Sequence, residues 1–168
     1  LVVDIPESKI SNSYNENPNI TPIEIDITDQ NAPEFIISSA LKSMGGFDVL
    51  VNNAGISLPN TVEDDGDDIW ERTMAVNVTS MFKISRAALP ELKKSETGRI
   101  INLGSIMSDM GGPGLFVYGT SKHAVAGMTK SMAVDLGQYG ITVNYLQPGA
   151  VVTAFSAPYF EDDDFRNY

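Results

Sequence analysis

A short apolar run, Asp48-Val49-Leu50-Val51, leads directly into the polar turn Asn52-Asn53-Ala54-Gly55. The run has the length of a strand and is apolar on both faces, as strands buried in a parallel sheet are. A helical pattern precedes it over residues 32–44, and a longer helical pattern follows over residues 68–92. This order of helix, strand, turn and helix predicts an α/β fold with a parallel sheet.

The same alternation extends from this segment to both ends of the chain. With helices on both faces, the strands are expected to form a doubly wound sheet of three layers, in one domain over residues 1–168. Pro90 should kink the long helix or end it early. Strands are predicted at 1–4, 23–27, 48–51, 99–103 and 141–146, and helices at 32–44, 68–92 and 116–139.

Composition excludes several classes of function. The 168 residues include 11 basic and 22 acidic side chains, a net charge of −11, so we expect neither a nucleic-acid nor a membrane partner. With no Cys and a single His, thiolate zinc sites, Cys nucleophiles and His-rich metal sites are not expected. No apolar run approaches the roughly 20 residues of a membrane helix, and no basic leader precedes an apolar stretch. A cytoplasmic protein without a metal site is expected.

Polar, Gly or Pro clusters occur at the carboxyl end of every predicted strand. In open parallel sheets, ligands bind beyond these ends. Five such clusters along one edge predict a long ligand lying across the sheet. The clusters are Asp4, Asp26-Ile27, Asn53-Ala54-Gly55, Gly104-Ser105 and Pro148-Gly149.

A candidate reactive group lies at the start of the last predicted helix. Tyr118 and Lys122 are four residues apart, so both project from one face of the helix, and Ser105 lies thirteen residues before Tyr118. A phenol ionises near pH 10 in free solution, and an ammonium beside it favours the phenolate. Such a group could exchange a proton with an alcohol or carbonyl oxygen. Taken alone, such a pair is far more often a half-exposed Tyr with a Lys stem lying along it.

Together these motifs resemble the short-chain dehydrogenases/reductases, over nearly the whole chain. The order and spacing both fit, and the resemblance implies a Rossmann-like dinucleotide-binding domain. The matching residues are Asn52-Asn53-Ala54-Gly55, Asn77, Ser105, Tyr118 with Lys122, and Pro148-Gly149 with Thr153.

The resemblance assigns roles to these residues. Tyr118 would be the general acid/base, Lys122 would assist it and hold the nicotinamide ribose, and Ser105 would bind the substrate oxygen. Asn77 would hold a water in a proton relay through Lys122. Met107, where the family usually has a small residue, would narrow the substrate pocket. Asp26 and Ile27 would flank the adenine of the cofactor. The turn Asn53-Ala54-Gly55 would line the cofactor, and Asn53 would also serve the sheet. The nicotinamide carboxamide would be held by Pro148, Gly149, Val151 and Thr153.

Asp4 indicates which dinucleotide is bound. A carboxylate at the end of this strand accepts hydrogen bonds from the adenosine ribose hydroxyls and repels a 2′-phosphate. No Arg or Lys precedes Lys9. The sequence therefore favours NAD over NADP, although Asp4 could instead cap a turn.

One family motif is not found in the sequence. The Gly-rich pyrophosphate turn that follows the family's first strand is missing, and the glycines at 111, 112 and 114 lie elsewhere. We therefore expect a first strand and helix upstream of Leu1, and a further helix and strand downstream of Tyr168. The resemblance also implies a homodimer or homotetramer formed through the helices at 68–92 and 116–139.

The leading hypothesis is an NAD(H)-dependent oxidoreductase that interconverts a secondary alcohol and a ketone. A reductase of 3-oxoacyl thioesters on a carrier shares this site, but the acidity of the chain argues against it. A sugar-nucleotide epimerase also uses Tyr and Lys four residues apart, but the Asn-Asn-Ala-Gly run and the short chain argue against that class. A non-catalytic dinucleotide-binding protein would be signalled by loss of a catalytic residue, and Asn77, Ser105, Tyr118 and Lys122 are all present.

Overall fold

The computed structural model describes residues 1–14, 16–64 and 66–151. Short 3-10 turns cover Pro6–Ser8, Ile106–Ser108 and Gly137–Tyr139, and a π-helical segment, Ala75–Thr79, joins the helices Asp67–Met74 and Ser80–Leu92. The strands are β1 (Val2–Asp4), β2 (Pro22–Glu24), β3 (Val49–Asn52), β4 (Arg99–Leu103) and β5 (Thr142–Leu146), and the helices are α1 (Ile10–Tyr14), α2 (Ala32–Met44), α3 (Asp67–Met74), α4 (Ser80–Leu92) and α5 (Phe116–Leu136).

All strand pairs in the described ranges are parallel, as the sequence predicts. β1 pairs with β2, and β3, β4 and β5 form a second sheet in that order. Asn52 lies opposite Asn102, so the carboxyl ends of β3 and β4 lie side by side. Leu103 lies opposite Leu146, which brings the end of β5 to the same edge. The strand ends that carry the predicted catalytic residues therefore meet at one edge.

Two apolar clusters join the strands to the helices. One packs the fully buried Leu92 of α4 and Ile100 of β4 against Ile141. The other packs Ala32 and Ile36 of α2 against Ile84 of α4 and is lined by apolar residues of both sheets. Helices α2, α4 and α5 thus hold in place the sheet edge at which the predicted site residues lie.

The opposite face of β3 is open, contrary to the expectation that every strand is buried on both faces. Val49 and Val51 are 50% and 52% exposed. Side chains alternate across a strand, so these two lie on the face away from Leu50, which packs into both apolar clusters.

Two predicted elements differ in detail, and two short elements were not predicted. Strand β2 ends at Glu24 rather than Ile27, because the Asp26 carboxylate accepts hydrogen bonds from the backbone and hydroxyl of Thr28 and turns the chain. Helix α4 continues two residues past Pro90, since a proline in the last turn removes little of the hydrogen-bond ladder. The short helix α1 and the 3-10 turn before it were not predicted. In the described part of the chain, no helix combines the length and the apolar character needed to cross a membrane.

Candidate active site

Asn77 lies in the π-helical segment and is fully buried. Its Nδ2 donates to Ile56 O and to Ser121 Oγ, both at 2.9 Å. Its Oδ1 accepts from Ile56 N at 2.9 Å. The side chain thus pairs with both backbone groups of Ile56, and it ties the turn after β3 to α5.

Lys122 projects from α5 to the end of β4. Its Nζ donates to Leu103 O at 2.7 Å, and the residue is only 5% exposed. Burial lowers the pKa of Lys122 from its ordinary 10.5 to about 8, because desolvation penalises the ammonium. The ammonium still outnumbers the neutral amine by about ten to one at pH 7.

Tyr118 lies one turn earlier on the same face of α5. Lys122 Nζ is 5.6 Å from the centroid of the Tyr118 ring. The ring is half-buried at the N-terminal end of α5, where the 3-10 turn Ile106–Ser108 packs against the helix. The i, i+4 spacing therefore places phenol and ammonium together, as the sequence predicts.

Ser105 caps that 3-10 turn. Its Oγ accepts from Met107 N, and its own N–H donates to Ser108 Oγ, both at 3.2 Å. Because Oγ is the acceptor in the first bond, its hydroxyl proton is directed elsewhere. Gly104 allows this geometry, since a Cβ there would lie 2.9 Å from Leu146 O.

The turn that carries Pro148 and Gly149 is joined to the Ser105 turn. Ile106 N donates to Pro148 O at 3.0 Å, and Gln147 Nε2 donates to Asp109 Oδ2 at 2.7 Å. The turn predicted to hold the carboxamide therefore lies beside the serine predicted to bind the substrate oxygen.

The turn after β3 presents its backbone next to the lysine. Asn53, Ala54 and Gly55 are exposed. A Cβ placed on Gly55 would lie 3.4 Å from Asn77 Oδ1 and 3.6 Å from Lys122 Nζ. An open backbone beside an ammonium with three N–H donors suits a ligand that carries hydroxyl groups, such as the ribose of a dinucleotide.

The amide that joins the strands belongs to Asn52 and not to Asn53, so the expectation that Asn53 also serves the sheet is wrong. Asn52 Nδ2 donates to Asn102 Oδ1 at 2.9 Å and to Ser85 Oγ at 3.0 Å. Asn102 Nδ2 donates in turn to Thr129 Oγ1 at 2.9 Å. Side chains alternate along a strand, so Asn52 points into the helix layer.

The predicted adenosine residues lie on the other sheet. Asp4 is exposed at the end of β1, and its Oδ1 accepts from the N–H of the next residue, Ile5, at 2.8 Å. The Thr28 hydrogen bonds and the nearby Arg72, at 3.6 Å from Oδ2, hold the pKa of Asp26 below its usual value despite partial burial. The Ile27 side chain is partly buried against the apolar cluster around α2.

Met107 is partly buried and lies over Gly112. A Cβ on Gly112 would be 3.3 Å from Met107 Cε. Its side chain thus supports the glycine loop before α5. Val151 is 57% exposed, and the predicted contact Thr153 lies outside the described residues.

Sequence reasoning missed Ser121 and the carbonyl of Leu103. Ser121 is completely buried and donates to Tyr118 O at 2.7 Å. A small polar residue immediately before a candidate catalytic lysine was the available signal, since it had to lie near the buried side of the helix. A main-chain carbonyl leaves no trace in a sequence.

Within residues 1–14, 16–64 and 66–151, no three His, Asp or Glu side chains are grouped so as to hold a metal ion.

Comparison with known proteins identifies the family. A family model described as short chain dehydrogenase matches residues 2–164. The 3-oxoacyl-[acyl-carrier-protein] reductase FabG of Vibrio cholerae is 38% identical over 129 residues, which are 77% of this chain and 53% of that protein. The secoisolariciresinol dehydrogenase of Forsythia intermedia is 35% identical over 154 residues, which are 89% of this chain and 56% of that protein. The chain thus spans about half the length of the curated relatives it matches.

Solved structures agree with the sequence comparison. A gluconate 5-dehydrogenase from Burkholderia cenocepacia, in complex with NADP and tartrate, superposes with a TM-score of 0.86 at 27% identity, over 98% of this chain and 66% of that one. ElxO with NADP bound gives a TM-score of 0.81 at 32% identity, over 94% of this chain and 65% of that one. These likenesses confirm the Rossmann-like doubly wound fold. The chain belongs to the short-chain dehydrogenase/reductase family of oxidoreductases, whose members bind a nicotinamide dinucleotide.

Proposed function

We propose that this chain carries the catalytic site of an NAD(H)-dependent oxidoreductase that interconverts a secondary alcohol and a ketone. The observation that supports it most directly is the buried Lys122 ammonium, held by Leu103 O at 2.7 Å and 5.6 Å from the Tyr118 ring centroid. A buried ammonium next to a phenol at a ligand-binding sheet edge is an arrangement suited to proton transfer. The Ser105 turn packs against the same helix.

In alcohol oxidation, Tyr118 takes the hydroxyl proton while the carbinol carbon loses its hydrogen with two electrons. The O–H and C–H bonds break as the C=O bond forms. The nicotinamide dinucleotide, when bound, supplies the redox chemistry by accepting that hydride. Ser105 donates its hydroxyl proton to the substrate oxygen and orients it, and Lys122 stabilises the phenolate. Asn77, which borders Lys122 across Gly55, is proposed to hold the water that carries the proton away.

The test is a screen of secondary alcohols with NAD and NADP, followed by Tyr118→Phe. Loss of a general acid/base should lower turnover by about 10²-fold or more, with cofactor binding little changed. Tyr139→Phe is a matched control, because Tyr139 lies just beyond the same helix and is 43% exposed. Turnover of the Tyr118 variant within a few-fold of the control would refute the assignment. Cofactor binding without turnover in the unmodified protein would favour a non-catalytic dinucleotide-binding role.

NAD is the proposed cofactor, on the strength of the exposed Asp4 carboxylate at the end of β1. Asp4→Ala should lower kcat/KM for NAD by about 10- to 100-fold relative to NADP, since a charged hydrogen bond is lost and a 2′-phosphate is no longer repelled. Asp4→Asn keeps an acceptor for Ile5 N–H but removes the charge. It therefore separates recognition of the cofactor from the local hydrogen bond to Ile5. If Asp4→Asn retains the preference of the unmodified protein, or that protein prefers NADP, the proposal fails.

The reduction of 3-oxoacyl thioesters is the second candidate, because FabG of Vibrio cholerae is 38% identical over 129 residues. A carrier protein with an acidic surface requires a basic docking site, and a net charge of −11 opposes it. Assays with a 3-oxoacyl thioester and NADPH, beside the alcohol screen, decide between the two.

We also propose that the protein forms a homodimer or homotetramer through residues 68–92 and 116–139. Phe82 is 46% exposed on α4 under the Arg86 guanidinium, and Val134 is 81% exposed on α5. Exposed apolar side chains on neighbouring helices favour an interface. Val134→Asp should shift the protein to smaller species in sedimentation velocity, whereas Met44→Asp on α2, equally apolar and 47% exposed, should not.

A further inference from the structure

The Ser121 hydroxyl lies between the two proposed catalytic residues of α5 but touches neither reacting group. It is completely buried. It donates to Tyr118 O at 2.7 Å and accepts from Asn77 Nδ2 at 2.9 Å. A hydroxyl has one proton, and Tyr118 O takes it, so Ser121 can only accept from Asn77.

The Asn77 amide has one orientation that satisfies its neighbours. Ile56 O faces its nitrogen and Ile56 N faces its oxygen, and Ser121 accepts from the same nitrogen. A flipped amide would place oxygen against two acceptors and nitrogen against a donor. Ser121 therefore supports this orientation and anchors the amide to α5.

The same amide holds the backbone beside the lysine. Gly55 precedes Ile56, and a Cβ on Gly55 would lie within ordinary contact distance of both Asn77 Oδ1 and Lys122 Nζ. Around Nζ lie the Gly55 backbone of the turn after β3, Leu103 O of β4 and the Tyr118 ring of α5, and a Cβ on Gly55 would also meet Asn77 Oδ1. Tyr118 is the titratable group among these neighbours. The position of the Gly55–Ile56 backbone thus decides how closely the ammonium is enclosed.

We propose that Ser121 is a positioning residue, which keeps the Asn77 amide in its orientation by anchoring it to α5 and through it holds the Gly55–Ile56 backbone against Lys122. The inference rests on the proposed function for its effect on turnover, but its structural part stands on the hydrogen bonds alone. It assigns Ser121 no contact with substrate or cofactor.

The chain offers a matched control in Thr129, two turns further along α5. Its Oγ1 donates to Val125 O at 2.7 Å and accepts from Asn102 Nδ2 at 2.9 Å, and it is 2% exposed. Each of the two buried hydroxyls therefore donates to a main-chain carbonyl of α5 and accepts from an asparagine amide. Thr129 supports the other side of Lys122, because Asn102 precedes Leu103, but that side is already held by the pairing of β4 with β3 and β5. The Gly55–Ile56 backbone lies beyond the end of β3 and depends on Asn77.

The test compares Ser121→Ala with Thr129→Val in the whole protein. With 13C-labelled lysine, the titration of Lys122, assigned by its loss in Lys122→Met, should move from about 8 toward the ordinary value in Ser121→Ala, because a loosened backbone admits water. It should not move in Thr129→Val. This readout needs neither cofactor nor turnover. A Lys122 titration that is unchanged in Ser121→Ala, or that moves equally in both variants, overturns the proposal.

A double-mutant cycle tests whether Ser121 acts through Asn77. Ser121→Ala alone should lower kcat about tenfold, the value of one buried hydrogen bond, with KM for the cofactor nearly constant. In an Asn77→Ala background the same change should lower kcat less than about twofold, because the amide it orients is gone. Equal losses in both backgrounds would refute the coupling. If the unmodified protein oxidises no alcohol, the proposed function fails and the lysine titration alone decides the positioning role.

Discussion

Replacing Lys122 by Met should remove a pH dependence of stability that the unmodified protein has. The pKa of Lys122 falls from its ordinary 10.5 to about 8 in the folded chain, because the ammonium is buried. Between these values the unfolded chain binds more protons than the folded chain, so stability rises with pH. Below pH 8 the burial costs the folded chain about 3 kcal/mol, and at pH 10 about 1 kcal/mol. The unmodified protein should thus gain about 2 kcal/mol from this group between pH 7 and pH 10.

Methionine fills nearly the same volume and carries no charge, so Lys122→Met lacks this gain. It loses the hydrogen bond to Leu103 O, which costs about 1–3 kcal/mol at every pH and cancels when two pH values are compared. At pH 7 the two effects nearly offset each other, and at pH 10 the variant should be clearly less stable than the unmodified protein.

Urea unfolding at pH 7, 8, 9 and 10 measures the difference in unfolding free energy between the two proteins. Lys130→Met, which removes an exposed lysine from the same helix, controls for the loss of one positive charge. A difference that stays constant within about 0.5 kcal/mol from pH 7 to pH 10 would show that burial does not govern the ionisation of Lys122. The inference that Gly55 and Leu103 O enclose the Lys122 ammonium would then be wrong.

Four further outcomes are expected from the fold. A Cβ at Gly104 would lie 2.8–2.9 Å from atoms of β5 and of the turn after β4, so Gly104→Ala should lower the unfolding free energy by about 1–3 kcal/mol in urea titrations. Gly127→Ala, in open space on α5, should raise it by about 0.5–1 kcal/mol, and equal effects would contradict both. Asn102→Ala removes the central amide of a buried network and should cost about 3 kcal/mol, whereas a loss below about 1 kcal/mol would mean that the network is replaceable. The hydrogen bonds from Thr28 lower the pKa of Asp26, so the stabilisation by this carboxylate is present above its ordinary pKa of 3.8 and is lost as the pH falls below that value. Asp26→Asn should therefore lower the unfolding free energy by under about 1 kcal/mol at pH 6, measured by thermal unfolding, and this difference should shrink as the pH falls below 3.8.

The regular elements could be predicted because their signals are local. Helix α2 begins and ends where the proline in its first turn and Gly45 indicate, and Gly45 adopts the left-handed conformation that closes a helix. The i, i+4 spacing was sufficient to place Tyr118 and Lys122 together. Strand β2 was predicted too long because its apolar pattern continues through Ile27, whereas the Asp26 turn interrupts the backbone pairing.

The parts of the site that depend on contacts distant in sequence could not be predicted. Whether Asn52 or Asn53 faces the helices depends on the register of β3, and two adjacent asparagines offer no means to choose. The acceptor for Lys122 is a main-chain oxygen nineteen residues away. The role of Ser121 becomes visible only when the π-helical segment is seen against α5.

The π-helical segment makes the spacing of this region sensitive to length as well as to sequence. A π turn accommodates one residue more than an α turn. Deleting one residue between Ala75 and Thr79 would allow one regular helix to form, but it would rotate α3 about its axis by about 100° relative to α4. Thr73, now completely buried, would turn outward, and Arg72 would swing away from the Asp26 carboxylate. This protein should therefore tolerate substitutions within Ala75–Thr79 far better than the insertion or deletion of a single residue there.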